Sequence, residues 1–252
     1  MEVRYDTIWL DSVDSTNTEV SRRYDTLDNL SVIAAVNQTA GRGQRGNVWH
    51  VEPGANLTFS ILLRFGDGNL SPLKATSQFS ISEAVTLALV EFFETEGIAA
   101  RIKWPNDIYV RDKKLVGILI ENSLGAQGVE RSIVGIGINC NQTDFPPQLM
   151  NPTSMALLTG RRFDTHALLD RFLEILGRYL MTMETESGRH TIHEQYLANL
   201  YRLGEMHEYT DCATGEIFKG TIKGISDAAM LQVELPDGTL KEFAFKEISY
   251  II

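Results

Sequence analysis

KWPNDIYVRDKKLVGILIE, residues 103–121, sets an Asn-Asp turn and a crowd of charges among short apolar runs. Here ARIKWPNDIYV and KLVGILIEN read as strands joined by a short polar turn, and SIVGIGINCN downstream reads as a third. The segment is also a positive island in an acidic chain. Residues 101–114 carry Arg101, Lys103, Arg111, Lys113 and Lys114 against Asp107 and Asp112. The whole chain has 23 basic and 33 acidic residues, a net charge of -10. That balance argues against nonspecific nucleic-acid binding, where phosphate contacts dominate affinity. Small basic islands suit an anionic ligand better than a polymer, which needs a long stripe; solvated surface charge would give the same pattern.

Upstream, TIWLDSV reads as a strand, and Asp14-Ser15-Thr16-Asn17 offers a helix N-cap with Glu19 in the first turn. SVIAAVNQ (31–38) and NLTFSILLRF (56–65) read as buried strands. A long amphipathic helix is expected to open at Pro72 and stop at Gly97. Downstream, LLDRFLEILGRYLMTM and the stretch around HEQYLANLY read as two more helices. After Leu203 the texture changes to short strands and turns, with a hairpin turn at Pro236-Asp237-Gly238. The expected architecture is therefore α+β. A catalytic domain with a mixed β-sheet packed with helices spans 1–202, and a small C-terminal SH3-like β-barrel spans 203–252. With 4 basic and 9 acidic residues, that tail does not suit nucleic acid.

The apolar runs are too short to cross a bilayer and the N-terminus lacks the pattern of a signal peptide, so a cytoplasmic protein is expected. Cys140 and Cys212 have neither CxxC nor CxxH spacing, so neither a disulfide framework nor a zinc site is encoded. His190-Thr191-Ile192-His193-Glu194 is not HExxH and reads as surface helix histidines.

A second positive island lies in QTAGRGQRGNVW (38–49), where Gly41, Gly43 and Gly46 spell GxGxxG beside Arg42 and Arg45. A dinucleotide loop must run directly into a helix. Here Pro53-Gly54 and a strand follow instead. The kinase pattern GxGxxGxV is matched literally, yet neither an HRD nor a DFG motif follows. What remains is a loop between strands whose arginines can hold carboxylate or phosphate oxygens and whose Trp49 offers an aromatic face. A turn rich in glycine for backbone reasons alone stays open.

Four blocks taken together, Ser15-Thr16-Asn17, QTAGRGQRGNVW, KWPNDI with KKLVGIL, and GIGIN at 135–139, resemble the biotin protein ligase family in kind and order. The resemblance implies ATP, Mg²⁺ and biotin: biotin is activated to biotinyl-5'-AMP, then transferred to a lysine of a biotin carboxyl carrier protein. It implies that Ser15, Thr16, Asn17, Gln38 and Gly41 line the biotin pocket. Arg42 would hold the biotin carboxylate and later the adenylate phosphate, and Lys114 would bridge the reacting oxygens. Asn106 and Asp107 would face the triphosphate, Asp107 meeting Mg²⁺ through water. Gly117 would let the ligand approach the backbone. Arg45, Trp49, Asn56 and Asn139 fall on the nucleotide side, and Lys103 lies either near the phosphates or near the acceptor lysine.

Many members read GRGRRG, whereas Gln44 and Asn47 stand here, so weaker retention of the adenylate is expected. Ser15 lies fourteen residues from Met1, which leaves no room for a DNA-binding domain and implies a ligase only. The sister reading is a lipoate or octanoate ligase or transferase; a biotin-storage protein and a DNA-binding repressor are the others weighed. Homodimerisation stays open.

Overall fold

The protein is described by a computed structural model covering residues 3–46, 48–49, 52–67 and 69–252, the Arg45 side chain excepted. A seven-stranded mixed sheet forms its larger part. The strands are β1 (Asp6–Val13), β2 (Ser31–Gln38), β3 (Leu57–Arg64), β4 (Arg101–Lys103), β5 (Asp107–Val110), β6 (Lys113–Gly125) and β7 (Gly128–Ile138). Their order is β1-β2-β3-β7-β6-β5-β4, with only β1 and β2 parallel.

Central strand β3 is buried along LTFSILL, and its two faces have different partners. Leu57, Phe59, Ile61 and Leu63 join the main core under α2 (Phe79–Thr95), α4 (Thr165–Met183) and α5 (Glu186–Ala198), with Met155 of the short α3 (Met155–Thr159) in the same core. Phe59 and Phe92 meet there on Phe172. On the opposite face, Leu62 packs with Ile33, Ile133 and Val20 of the short helix α1 (Thr16–Arg22). Because side chains alternate along a strand, Thr58 and Ser60 share this thinly covered face, and the functional groups gather there.

A five-stranded antiparallel sheet closes the chain. It comprises β8 (Met206–Asp211), β9 (Ile217–Ile225), β10 (Leu231–Glu234), β11 (Leu240–Phe243) and β12 (Ile248–Tyr250), ordered β11-β10-β9-β8-β12. The expected turn joins β10 to β11, with Gly238 at φ +84°. Against the larger sheet, Trp104 meets Phe245 edge-on and donates from Nε1 to the Ala229 carbonyl at 3.2 Å.

Three expectations need correction. The long helix opens at Phe79 and not at Pro72, because Leu73 pairs with Val129 and its carbonyl accepts from Val129 N at 2.8 Å. Lys74 stays extended before a single 3-10 turn at Ala75–Ser77. The stretch ARIKWPNDIYV is a hairpin of β4 and β5, turning at Trp104–Asp107, where the Trp104-Pro105 bond is cis. The last helix begins at Glu186, ahead of HEQYLANLY, capped by the Thr185 hydroxyl.

That helix supports the hairpin turn from below. Tyr196 donates its hydroxyl to the Pro105 carbonyl at 2.8 Å, and His193 Nδ1 lies 2.7 Å from buried Glu83 on α2. Burial raises the Glu83 carboxyl above its ordinary range while the His193 hydrogen bond lowers it. Gly188 allows α5 to lie close to the end of α4, since a Cβ there would fall 1.8 Å from the Thr182 carbonyl oxygen. Gly188→Ala should destabilise the fold by about 1–3 kcal/mol, the usual range for overpacking; urea unfolding equal to wild type would contradict this packing.

Candidate active site

Sheet register sets the floor of the site. Thr58 pairs with Gly137, which pairs with Gly117; one row along, Ser60 pairs with Gly135, which pairs with Leu119. Directly opposed residues share a face, so three glycines leave a trough on the α1 side of the sheet. A cavity of about 350 Å³ opens above it.

One end of the cavity is neutral and polar. Ser15, Thr16 and Asn17 at the start of α1 are buried side by side. Thr16 N and Oγ1 lie 2.7 and 3.2 Å from Gln38 Oε1, and Ser60 Oγ lies 2.7 Å from Thr16 Oγ1 and 2.5 Å from Asn17 Oδ1. Asn17 packs so closely that a Cβ on Gly135 would sit 2.0 Å from its Oδ1. Ser15 occupies the N-cap position, yet its side chain makes no capping hydrogen bond. Its hydroxyl is therefore not committed to the helix.

The glycine-rich loop forms the roof. Trp49 N donates to Gly41 O at 2.9 Å and Arg42 bridges to Val48, which closes the loop on itself. The segment Gln44–Gly46 is one 3-10 turn, and the next element among the described residues is β3. Trp49 lays its indole across Gly137 and Gly117, where added Cβ atoms would fall 2.3 and 2.7 Å from ring carbons. Its Nε1–H is buried with no hydrogen-bond partner among the described residues. Gln44 fastens the roof to the opposite wall, donating to Asn106 Oδ1 at 2.6 Å and Ile118 O at 3.1 Å.

Two cation–carboxylate pairs add charge, one beside Asn17 and one near Gly117. Arg42 reaches both Glu121 oxygens, at 2.7 and 3.1 Å, and Asn17 Nδ2 donates to the same carboxylate at 2.8 Å. Lys114 Nζ donates to Asp107 Oδ2 at 2.8 Å. Strict alternation would put Lys114 on the face opposite Gly117. A bulge prevents this: Ile108 pairs with Val116 but Tyr109 with Lys114, so Leu115 is the extra residue. Lys114 thus swings onto the cavity face, with its Cε 3.5 Å from where a Gly117 Cβ would be. The bulge is pinned from outside. Lys114 N donates to Asn151 O at 2.8 Å, Thr153 N to Lys114 O at 2.9 Å, and Asn139 N to Leu115 O at 3.1 Å.

Of the residues singled out by sequence, Ser15, Thr16, Asn17, Gln38, Arg42, Trp49, Lys103, Asn106, Asp107, Lys114 and Gly117 line this one cavity. Gly41 sits behind the loop, where a Cβ would fall 2.4 Å from the Trp49 carbonyl oxygen. The Arg45 side chain and Asn47 lie outside the described residues. Asn56 and Asn139 are not brought to the cavity. Asn56 bonds Gln142 Oε1 and Cys140 N, and Asn139 donates to Thr153 O, so both amides brace the segment behind the bulge.

Sequence reasoning missed Glu121 and Ser60, which hold Arg42, Asn17 and Thr16, and the cavity wall contributed by Phe245, Lys246, Ile248, Ser249 and Tyr250 near the end of the chain. Glu121 was readable from parity with Gly117; no local signal marks the others. Among the described residues no group of three or more His, Cys, Asp or Glu can hold a metal ion, and no helix is long and apolar enough to cross a membrane.

Residues 9–139 match the Biotin/lipoate A/B protein ligase family. The chain is 34% identical over 218 residues to the bifunctional ligase/repressor BirA of Bacillus spizizenii, covering 85% of this chain and 64% of that one. It is 32% identical to the biotin--[acetyl-CoA-carboxylase] ligase of Paracoccus denitrificans, covering 89% of this chain and 92% of the relative. Among solved structures, biotin protein ligase from Aquifex aeolicus in complex with biotin and ATP superposes with a TM-score of 0.75 at 28% identity, over 97% of both chains. The chain thus spans just under two thirds of the length of the Bacillus relative and nearly all of the Aquifex one. By the family match and by these relatives, it belongs to the Biotin/lipoate A/B protein ligase family.

Proposed function

We propose that the protein is a cytoplasmic biotin protein ligase, forming biotinyl-5'-AMP from biotin and ATP and passing the biotinyl group to a lysine of a biotin carboxyl carrier protein. One observation carries this reading: buried neutral polar side chains and two cations, Arg42 and Lys114, line one glycine-floored cavity. Biotin has the same polarity, an uncharged ureido head and a carboxylate tail. Ser15, Thr16, Asn17 and Gln38 supply donors and acceptors for the head, which a buried polar group requires.

Beside these cations the carboxylate oxygen attacks the α-phosphorus of ATP, and the bond to the bridging oxygen breaks to release pyrophosphate. Both reactants are anions, so positioned cations supply the acceleration. Arg42 takes the carboxylate and Lys114 spans the two reacting oxygens. Each cation now holds a protein carboxylate in a partly exposed pair. Such pairs are worth about 0–1 kcal/mol, so an arriving substrate anion exchanges for Glu121 or Asp107 at little expense. In the second step the acceptor amine attacks the acyl carbon and AMP leaves.

Magnesium would come with the triphosphate. Asp107 and Asn106 offer one carboxylate and one amide oxygen, which fits an ion held mainly by phosphates and water and no protein cage. The ion would neutralise charge on the phosphate oxygens, and Asp107, released from Lys114, would help to hold it.

Isotope exchange between pyrophosphate and ATP should depend on biotin, and mass analysis should then find biotin on a carrier-domain lysine; exchange driven by lipoate or octanoate instead would overturn the substrate assignment. Lys114→Ala should slow adenylation roughly 10²–10³-fold, as removal of a transition-state donor does, with a smaller loss of biotin affinity. Arg42→Ala should weaken both. Equal losses in Lys114→Ala would make that residue a binding group only. Gln44 makes a neutral latch where many members have an arginine, so the adenylate should leave about tenfold more slowly from Gln44→Arg, the value of one charge-assisted hydrogen bond. An off-rate unchanged in that variant would reject the assignment.

A further inference from the structure

Lys103 has no role fixed by the chemistry above, yet it sits in an aromatic seat. Its partner across the hairpin is Asp107, and Tyr109 follows two residues on, so all three project from one face of the β4–β5 pair. The Lys103 ammonium lies 4.4 Å from the Tyr250 ring centroid and 5.3 Å from that of Tyr109. Tyr109 belongs to the larger sheet, whereas Tyr250 is the end of β12 in the C-terminal sheet. Lys103 and Tyr250 both line the cavity.

The Tyr250 ring is itself held. It pairs in register with Tyr209 on β8, meets that ring edge-on at 5.3 Å, and stacks at 6.1 Å on Tyr201. Among the described residues its hydroxyl is buried without a hydrogen-bond partner. The face of the ring, and not its oxygen, is what touches the cation.

We propose that Tyr250 is a positioning residue that seats the Lys103 ammonium at the cavity wall facing the nucleotide phosphates, making the C-terminal sheet a working part of the site. This rests on the ligase reading for its kinetic consequence. An ammonium over a ring face is attracted by the ring quadrupole and loses rotamer freedom before the ligand arrives. The same cation on a free stem would have to be ordered by ATP. Asp107, across the hairpin, is already engaged with Lys114. The seat therefore sets the Lys103 ammonium on the same hairpin face as the Asp107 that holds a second cation.

The test compares Tyr250→Phe, Tyr250→Leu and pentafluorophenylalanine at position 250, which keeps the ring's shape and reverses its quadrupole. Two readouts are taken: the ring-current shift of the Lys103 Hε protons by NMR, and KM for ATP and for biotin in pyrophosphate exchange. Tyr250→Phe should match wild type in both. Tyr250→Leu should lose the upfield shift, and both it and the fluorinated ring should raise KM for ATP roughly 3- to 30-fold, leaving KM for biotin unchanged. In a Lys103→Ala background neither change should add anything. Equal rises in both KM values, additivity with Lys103→Ala, or a fluorinated ring that behaves as wild type would overturn the proposal. Wild type inert toward biotin would defeat the ligase reading instead, and the absence of the Lys103 shift would then still overturn the seat.

Discussion

Close approach to the sheet at Gly117, Gly135 and Gly137 is the constraint on which the rest of the site depends. Two of these glycines oppose each other and the third lies one row along, between Ser60 and Leu119. Added Cβ atoms would strike Asn17 at one and the Trp49 indole at the other two. The polar start of α1 and the aromatic roof of the loop therefore both reach their positions only because the floor has no side chains. The helix face of the same strands is filled by Val116, Ile118, Val134, Ile136 and Ile138. One pair of strands thus builds a dense core below and a trough above, which period-2 alternation permits at no cost to the core.

Charge is arranged by a different device. A single extra residue at Leu115 reverses the side on which Lys114 emerges and brings it to Asp107. Such a bulge leaves backbone groups without ladder partners, and the segment from Asn139 to Thr153 supplies them from outside the strand. Asn56 and Asn139, buried away from the cavity, hold that segment in place. Both amides in this way help support the bulge that aims Lys114.

The loop illustrates how a site can be closed without charge. Where many family members carry an arginine, Gln44 ties the roof to Asn106 and to the Ile118 carbonyl by neutral hydrogen bonds. Arg42, left as the cation of the loop whose side chain is described, meets Glu121 and not a second basic group. Glu121 also anchors Asn17, so the polar group and Arg42 share one carboxylate.

By itself the sequence determined the apolar strands, the glycine loop that enters no helix, the late change to short strands, and four motif blocks whose order points to one family. These are local properties: alternation, turn residues and spacing are written in neighbouring positions. Through resemblance it grouped Lys114, Arg42 and Asp107, which line one cavity, with Asn56 and Asn139, whose hydrogen bonds to Cys140 and Thr153 it did not foresee because an asparagine's type does not reveal its partners. Only the tertiary structure decided that Lys114 shares a face with Gly117, that Glu121 neutralises Arg42, and that Tyr250 meets Lys103 across 147 residues of chain. Pairing register and the docking of the C-terminal sheet settle these, and both arise from contacts between segments remote in sequence, which no local pattern encodes.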